Sequence, residues 1–556
     1  MEYNYEHERI EGWFSEGVMT RDAVLQAMGN TVLTPNHIFT EQELSVLENK
    51  FKSTAHGDVE IEPITEEMFL GAFSKGNAKP PPSFAGAGYI IYRSIYHISA
   101  FPFAPTGPMD FEAFVRGLAW LLPSRAEDLS STSNYSRARS AADQRRLLFQ
   151  SLATSLDGKN TPFDAQTARE AACRRARDFS GMRAGGILGE FAATNFDDDG
   201  DEMFHDVLDI LYSYHPLVDT PPHAPFHRDA FRPLAKRLHK DRDVKLHHLS
   251  IPQQDMESLV EFLLEYRWAP ADQSPAAAVA VDWKSSSTSI TKSFAQGKDS
   301  GITWPEFDHA YTSITPYLFQ PLLSLLSTHL LGHTDDRNSQ ASLAPFSSPS
   351  RLPEEEEGRI LLTPPVLSQL AAIFVETISV EDMKLLKSFK LHGSTTTPNH
   401  HSVADVTSFR PSDFDDNTEG AMILFSGTNT STSSPVLFAC YTSKPWGDAI
   451  GIEERDEERW EHCSLLQLSP IQDVFRGIVG QPAWKISGDD DELQFGNPEK
   501  GVGLKITGGL RHAWLTHVPQ ESAQQEQQQE VVFKASDWRG RFSIHVKIES
   551  IEVWGN

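Results

Sequence analysis

The sequence predicts an α+β multidomain protein with a helical front and a C-terminal antiparallel β-sandwich that carries a few helices. The chain has 556 residues, which is too long for a single hydrophobic core. Apolar residues of the front recur at helical spacing, whereas those of the tail alternate with the period of a strand. We therefore expect the fold class to change along the chain, near residue 359.

Ser-rich and charge-rich stretches divide the chain into three folded regions. Such composition buries too little apolar surface to offset the entropy of ordering, so these stretches are predicted to be linkers. The clearest is the stretch in which Ser347, Ser348, Pro349 and Ser350 precede four consecutive glutamates at 354–357. The predicted order is a helical region 1–123, a linker 124–146, a helical region 147–333, a linker 334–358 and a sheet domain 359–556.

Two segments of the front have the spacing of amphipathic helices. Apolar residues recur at intervals of three and four over 111–122 and over 256–266, which places them on one helix face. The most apolar stretch, 317–331, is shorter than the roughly 20 residues that a membrane span needs. It also contains Gln320 and His329, so a buried helix is predicted there.

The tail contains short β-prone runs separated by turn residues. Residues 422–425 and 436–441 flank Gly427 and Asn429, which predicts a hairpin with a long loop. Residues 542–549 alternate strictly between apolar and polar, and the alternation changes phase after Ser550, which predicts a bulge or a strand that changes faces.

One helix is predicted between these strand groups. Ser469 and Pro470 have the character of an N-cap and a first helical residue. Ile471, Val474, Phe475 and Ile478 follow at helical spacing.

Charge and cysteine content exclude several classes of function. The 49 lysines and arginines face 77 aspartates and glutamates, for a net charge of -28, which opposes direct binding to nucleic acid or anionic lipid. Three cysteines in a long chain favour a reducing compartment, so a cytoplasmic location is expected. Glu2 occupies the position where N-myristoylation requires glycine, and membrane association is expected only through a partner, peripherally at the vacuole.

One acidic segment resembles the start of an EF-hand calcium loop. With Gly200 at the sixth position, the side-chain ligands would be Asn195, Asp197 and Asp199, and the twelfth position would be Asp206. An aspartate at that position reaches the ion less well than the usual glutamate. The alternative is a solvated acidic turn between helices, and calcium is the only cofactor that the sequence suggests.

Two further segments resemble EF-hands that have lost their ligands. Residues 299–307 and 57–69 keep the apolar residues of such loops, but Ala295, Gly297 and Gly57 stand at ligand positions. The pattern favours a helical front of degenerate EF-hand-like units that serves as a scaffold.

No arrangement of residues in the sequence predicts catalysis. The cysteines form no Cys-x-x-Cys pair, and Cys440 lies inside a strand-like run. The glycines at 501, 503, 508 and 509 precede neither a Gly-Lys-Ser/Thr sequence nor a helix, so turns in a sheet are expected there. We therefore expect a non-enzymatic protein with no catalytic residues.

Four blocks in order along the tail resemble the TLDc domain. They run over 437–446, 464–470, 501–506 and 548–554, and the resemblance extends over about 361–554. It implies that Pro445, Trp446 and Trp554 are structural markers and that Gly501 and Gly503 meet backbone requirements.

A degenerate EF-hand-like front with a C-terminal TLDc domain is similar to the fungal restriction of telomere capping protein 5 family. The resemblance implies a regulatory adaptor in a process that influences telomere capping. It also implies binding to the vacuolar proton-pumping ATPase. A calcium-responsive switch and an activity that protects against oxidative stress are the alternatives.

Overall fold

The chain folds into two compact units, one helical and one built around a sheet. The first comprises residues 1–259, 300–308 and 322–343, and the second comprises 260–299, 309–321 and 344–556. The computed structural model describes residues 2–52, 63–74, 80–130, 141–156, 202–216, 226–239, 245–268, 281–332, 361–374, 384–391, 421–442, 463–477, 484–487, 492–519 and 531–555.

The helices lie before the sheet in the chain. In order they are α1 Glu2–Ser15, α2 Arg21–Leu33, α3 Glu41–Lys52, α4 Glu66–Ser74, α5 Phe84–Ile98, α6 Phe111–Leu121, α7 Pro123–Ser130, α8 Ala141–Leu152, α9 Glu202–Ser213, α10 Arg232–His239, α11 Gln253–Trp268, α12 Lys284–Phe294, α13 Trp304–His309, α14 Gln320–Leu331 and α15 Pro364–Ile373. The helices predicted within 111–122 and 256–266 are confirmed as α6 and α11. Helix α14 occupies most of the apolar stretch 317–331. No helix in the described residues is long and apolar enough to cross a membrane.

Side-chain caps fix where several helices of the first unit begin. The Asp110 carboxylate accepts the Ala113 N–H before α6. Thr40 and Glu43 form a reciprocal capping box at α3, with distances of 2.6 and 3.2 Å. Helices α7 and α8 both extend into the stretch 124–146, which the sequence predicts as a linker.

Short backbone contacts join the loops between helices of the first unit. Ile251 and Ile302 exchange hydrogen bonds of 2.8 Å as an antiparallel bridge. The Ile64 N–H donates to the Met109 carbonyl, also at 2.8 Å. Ile302 and Ile64 both belong to segments whose sequences resemble EF-hand loops, and each is now seen to pair with a second loop.

The strands form one antiparallel sheet in the second unit. They are β1 Lys384–Lys390, β2 Ala421–Asn429, β3 Pro435–Thr442, β4 Cys463–Ser469, β5 Asp473–Arg476, β6 Trp484–Ser487, β7 Glu492–Gly496, β8 Gly501–Thr507, β9 His512–Val518 and β10 Phe542–Gly555. Their order is β5-β4-β3-β2-β10-β9-β8-β7-β6, with β1 paired to β10. The predicted antiparallel sheet is confirmed, as is the β2–β3 hairpin, although its strands are joined by residues 430–434 and not by a long loop.

The inner face of the sheet encloses one apolar core. Leu465 and Phe475 from one end of the strand order share this core with Leu493 and Phe495 from the other end. The rings of Phe425 and Phe495 lie 6.2 Å apart. The sheet therefore folds over on itself, and its two halves face each other across the core.

Among the described residues, helices pack on one half of the outer face of the sheet. Trp554 of β10, Tyr441 of β3 and Leu466 of β4 pack with α15 and Trp268 in a second core. This half lies beyond a register shift in β10 between Ile548 and Ser550. The predicted bulge is thus confirmed, and it moves the alternate side chains of β10 from a solvated face to a helix-covered one.

The helix predicted after Ser469 is wrong. Residues 473–476 form β5, in which Val474 pairs with Leu466 of β4. Helical spacing in this segment is overridden by long-range pairing, because the buried Asp473 finds its partners on distant loops and strands. The sheet unit also includes 260–299 and 309–321, which precede the predicted start of the sheet domain at 359.

Candidate functional site

The sheet unit brings together a serine, a histidine and an aspartate that could form a hydrolytic triad. Asp473 begins β5, His517 lies near the end of β9, and Ser536 lies in the segment before β10. Asp473 and His517 are buried, with 1% and 0% exposure. This is the combination of side chains that nucleophilic catalysis uses.

The hydrogen bonds among these three residues do not match the roles of a triad. The Ser536 hydroxyl donates to the Asp473 carboxylate, at 2.8 and 2.9 Å from its two oxygens. His517 Nε2 accepts the backbone N–H of Ser536 at 2.9 Å, and its Nδ1 donates to the Gly540 carbonyl at 3.0 Å. The imidazole therefore has no free nitrogen to take a proton from the hydroxyl.

An arginine completes this buried polar cluster. Arg539 Nη1 lies 3.2 Å from Asp473 Oδ2 and donates to Gln467 Oε1 at 2.8 Å. Burial lowers the pKa of Arg539, although the carboxylate counteracts this effect. Burial likewise lowers the pKa of His517, which favours the neutral ring. The cluster thus joins the loop before β10 to strands β4, β5 and β9.

Trp554 belongs to a second polar contact on the helix-covered half of the sheet. Its Nε1–H donates to Glu552 Oε2 at 3.0 Å. The same carboxylate accepts the backbone N–H groups of Leu361 at 2.6 Å and Leu362 at 3.3 Å. Burial raises the pKa of Glu552, and the three donors partly offset that rise. Glu552 therefore fastens the segment before α15 to the last strand.

Gly501 and Gly503 lie at the start of β8, where other backbone comes very close. Gly501 has φ +79°, and a Cβ there would lie 2.5 Å from the Phe533 carbonyl oxygen. A Cβ on Gly503 would lie 2.4 Å from the Pro498 nitrogen. The other two sequence markers, Pro445 and Trp446, lie outside the described residues.

Of the four calcium candidates, only Asp206 lies among the described residues; Asn195, Asp197 and Asp199 do not. Asp206 is in α9, and its Oδ1 lies 2.5 Å from Arg146 Nη2. Its Oδ2 accepts from Gln150 Nε2 at 3.4 Å. Calcium would have to displace this guanidinium to reach the carboxylate. Within the described residues, no cluster of three or more His, Cys, Asp or Glu side chains could hold a metal.

The two cysteines of the sheet are poor nucleophiles. Cys440 is buried in the inner core. Burial raises the pKa of Cys440 well above its usual range and that of Cys463 to about 12. Because the thiolate is the reactive form, neither residue supports thiol chemistry near neutral pH.

A group of cationic and aromatic side chains that the sequence did not predict lies on the half of the outer face where the helix-covered core of the described residues does not extend. We call His512, Trp514, His545 and Lys547, together with the exposed Arg511 just before β9, the His–Trp face. The rings of Trp514 and His545 stack 4.5 Å apart and 3° from parallel. His545 Nε2 lies 3.3 Å from His512 Nδ1.

The register of two strands assembles the His–Trp face. Trp514 pairs with His545, and His512 pairs with Lys547, across β9 and β10. Side chains at alternate positions of a strand share a face, so these four point away from the core that contains Ala513 and its neighbours. The strict alternation of residues 542–549, which places His545 and Lys547 on the polar side of the strand, was the sequence signal for this face.

This face is electropositive within a strongly acidic chain. Its charged side chains are the exposed cations Arg511 and Lys547, whereas the whole chain has a net charge of -28. Partial burial and the charges of His545, Lys547 and Arg511 lower the pKa of His512. The site therefore suits an anionic partner.

The chain is similar over most of its length to fungal proteins named restriction of telomere capping protein 5. It is 25% identical to that of Aspergillus fumigatus over 553 residues and to that of Neosartorya fischeri over 550 residues; each comparison covers 88% of this chain and 80% of the relative. The Aspergillus oryzae protein is 25% identical over 503 residues, covering 84% and 73%. No protein-family model matches the chain. The fungal matches confirm the resemblance to the restriction of telomere capping protein 5 family.

Proposed function

We propose that the chain is a non-enzymatic regulatory adaptor of the TLDc class that docks on a large protein assembly. The vacuolar proton-pumping ATPase is the proposed assembly, on the basis of the four sequence blocks that resemble the TLDc domain. By its likeness to the fungal relatives, the chain acts in a process that influences telomere capping.

The hydrogen bonding of the Asp473–Ser536–His517 cluster carries this proposal. Catalysis needs a nucleophile with an adjacent base, but the Ser536 hydroxyl and both imidazole nitrogens already serve internal structure. A sheet unit whose polar interior is used for its own folding, and whose outer face is charged and aromatic, is suited to binding a protein.

Any effect on telomeres is proposed to be indirect. A net charge of -28 repels the phosphate backbone of DNA, whose attraction for cationic groups dominates nucleic-acid affinity. Regulation of the proton pump would change the pH of a compartment or the response to stress, and this route does not require DNA contact. The calcium and oxidative-stress alternatives lack comparable support, given the Asp206–Arg146 ion pair and the raised thiol pKa values.

Affinity capture from solubilised vacuolar membranes tests the proposal. The bait is the intact chain with an affinity tag, and the controls are the tag alone and an excess of untagged intact chain as competitor. We expect pump subunits to be enriched over the tag control and lost on competition. Recovery at the level of the tag alone would contradict the proposed function.

A further inference from the structure

We propose that the His–Trp face docks a carboxylate-rich segment of a partner protein. This inference rests on the proposed function, because it assumes that the partner is a protein. It adds the location of the docking surface, its residues and the chemistry of the segment that binds there.

Charge complementarity is the first argument. Arg511 and Lys547 are exposed and take part in no ion pair within the described part of the chain. Glu492 of β7 forms its ion pair with Lys505 at 2.8 Å, and Glu549 accepts a hydrogen bond from Thr428 at 2.7 Å. Two cations without partners on an otherwise acidic protein favour an anionic segment.

Rigid aromatic packing is the second argument. The stacking of His545 on Trp514, together with the 3.1 Å contact between Thr430 Oγ1 and His545 Nδ1, holds both rings in place. Binding to groups that are already fixed loses little side-chain entropy. Tryptophan and arginine are also the residues that most often dominate protein interfaces. The face thus combines fixed aromatic surface with cations at its edge.

The same charges disfavour the competing ligands. A metal ion between His512 and His545 would be repelled by Arg511 and Lys547, which both lower the pKa of His512. An anionic membrane would attract these two cations but would repel a chain with a net charge of -28. A short acidic peptide segment meets the face without bringing the rest of the chain against a charged plane.

Fluorescence anisotropy with a labelled polyglutamate peptide tests this assignment on the full chain, with a polyglutamine peptide as the uncharged control. We expect the Arg511→Glu/Lys547→Glu double variant to bind polyglutamate at least about tenfold more weakly. Lys534→Glu reverses an exposed cation of the same unit outside the face, and its effect is expected to stay below about threefold because exposed charges are screened. The milder Arg511→Gln/Lys547→Gln variant gives the same answer if charge reversal disturbs folding.

Four results would overturn the inference. If the face variants bound polyglutamate as tightly as Lys534→Glu does, the face would not be the binding site. If polyglutamine bound as tightly as polyglutamate, charge would not determine the binding. Binding of anionic lipid vesicles through the face, without binding of polyglutamate, would assign it to a membrane instead. Undiminished pump capture by the face variants would reject the docking surface while leaving the proposed function intact.

Discussion

Replacing Gly501 with alanine is expected to destabilise the sheet unit for two separable reasons. The backbone there has φ +79°, where an L-residue is disfavoured by roughly 1–2 kcal/mol. The new Cβ would also lie 2.5 Å from the Phe533 carbonyl oxygen and 2.9 Å from a Val531 methyl group. That carbonyl accepts the Val502 N–H at 3.1 Å, so moving it away would weaken the contact between β8 and the segment before β10.

Two neighbouring glycines separate these effects. At Gly508, φ is +66° and the nearest atom to an added Cβ is His512 Cδ2 at 3.5 Å, so only the backbone conformation is unfavourable. At Gly503 the Cβ would meet the Pro498 nitrogen at 2.4 Å, and φ lies outside the left-handed region. Alanine also restricts the unfolded chain, which offsets part of each loss. The free energy of unfolding should therefore fall by about 1 kcal/mol for Gly508→Ala, about 2 kcal/mol for Gly503→Ala and about 3 kcal/mol for Gly501→Ala.

Amide hydrogen exchange of β8 and β9 is the suitable assay, because a chain with two units need not unfold in one step. The opening free energy in these strands should fall least for Gly508→Ala and most for Gly501→Ala. Exchange in α5 and α6 of the first unit serves as the internal reference. A loss for Gly508→Ala as large as that for Gly501→Ala would refute the role assigned to the close backbone contact.

Trp554→Phe should destabilise the sheet unit by about 1–3 kcal/mol, because the buried Glu552 carboxylate loses one donor; unchanged exchange protection of β10 would argue against that bond. His205 is buried in the first unit, and burial and the charge of Arg228 lower its pKa to about 3. Because His205 therefore binds a proton more readily in the unfolded chain, the free energy of unfolding should fall as the pH drops from about 6.5 to about 3. The expected loss is up to about 4 kcal/mol. His205→Gln should make the unfolding free energy of that unit less dependent on pH, as measured in denaturant titrations. An unaltered pH profile would contradict the role assigned to His205. Cys440 and Cys463 should resist iodoacetamide at pH 7.5 in site-resolved mass spectrometry, and labelling as fast as that of a free thiol would contradict their raised pKa values.

Local patterns predicted those elements of the sheet that depend on neighbouring residues. The β2–β3 hairpin and the alternation of β10 are visible in the sequence, because turn residues and a two-residue period are local signals. The segment after Ser469 was mistaken for a helix because its apolar residues also fit a helical period. Its true conformation depends on pairing with β4 and on Asp473 meeting Arg539, which lies far along the chain.

The candidate site was less predictable, because its side chains come together only through the register between β9 and β10. The solvated positions of His545 and Lys547 could be predicted locally, from the alternation of residues 542–549. That His545 stacks on Trp514 depends on how β9 pairs with β10, which no local pattern specifies. The hydrogen bond from the Leu361 N–H to Glu552 likewise joins the last strand to a residue nearly two hundred positions earlier.

Direct binding of the purified intact chain to the purified vacuolar proton pump tests the central claim that this protein is a docking adaptor. The account predicts saturable binding with a Kd of about 1 μM or tighter, corresponding to roughly -8 kcal/mol. The binding should weaken as salt is raised, because the proposed contact is electrostatic. The absence of saturable binding at low salt would contradict the claim.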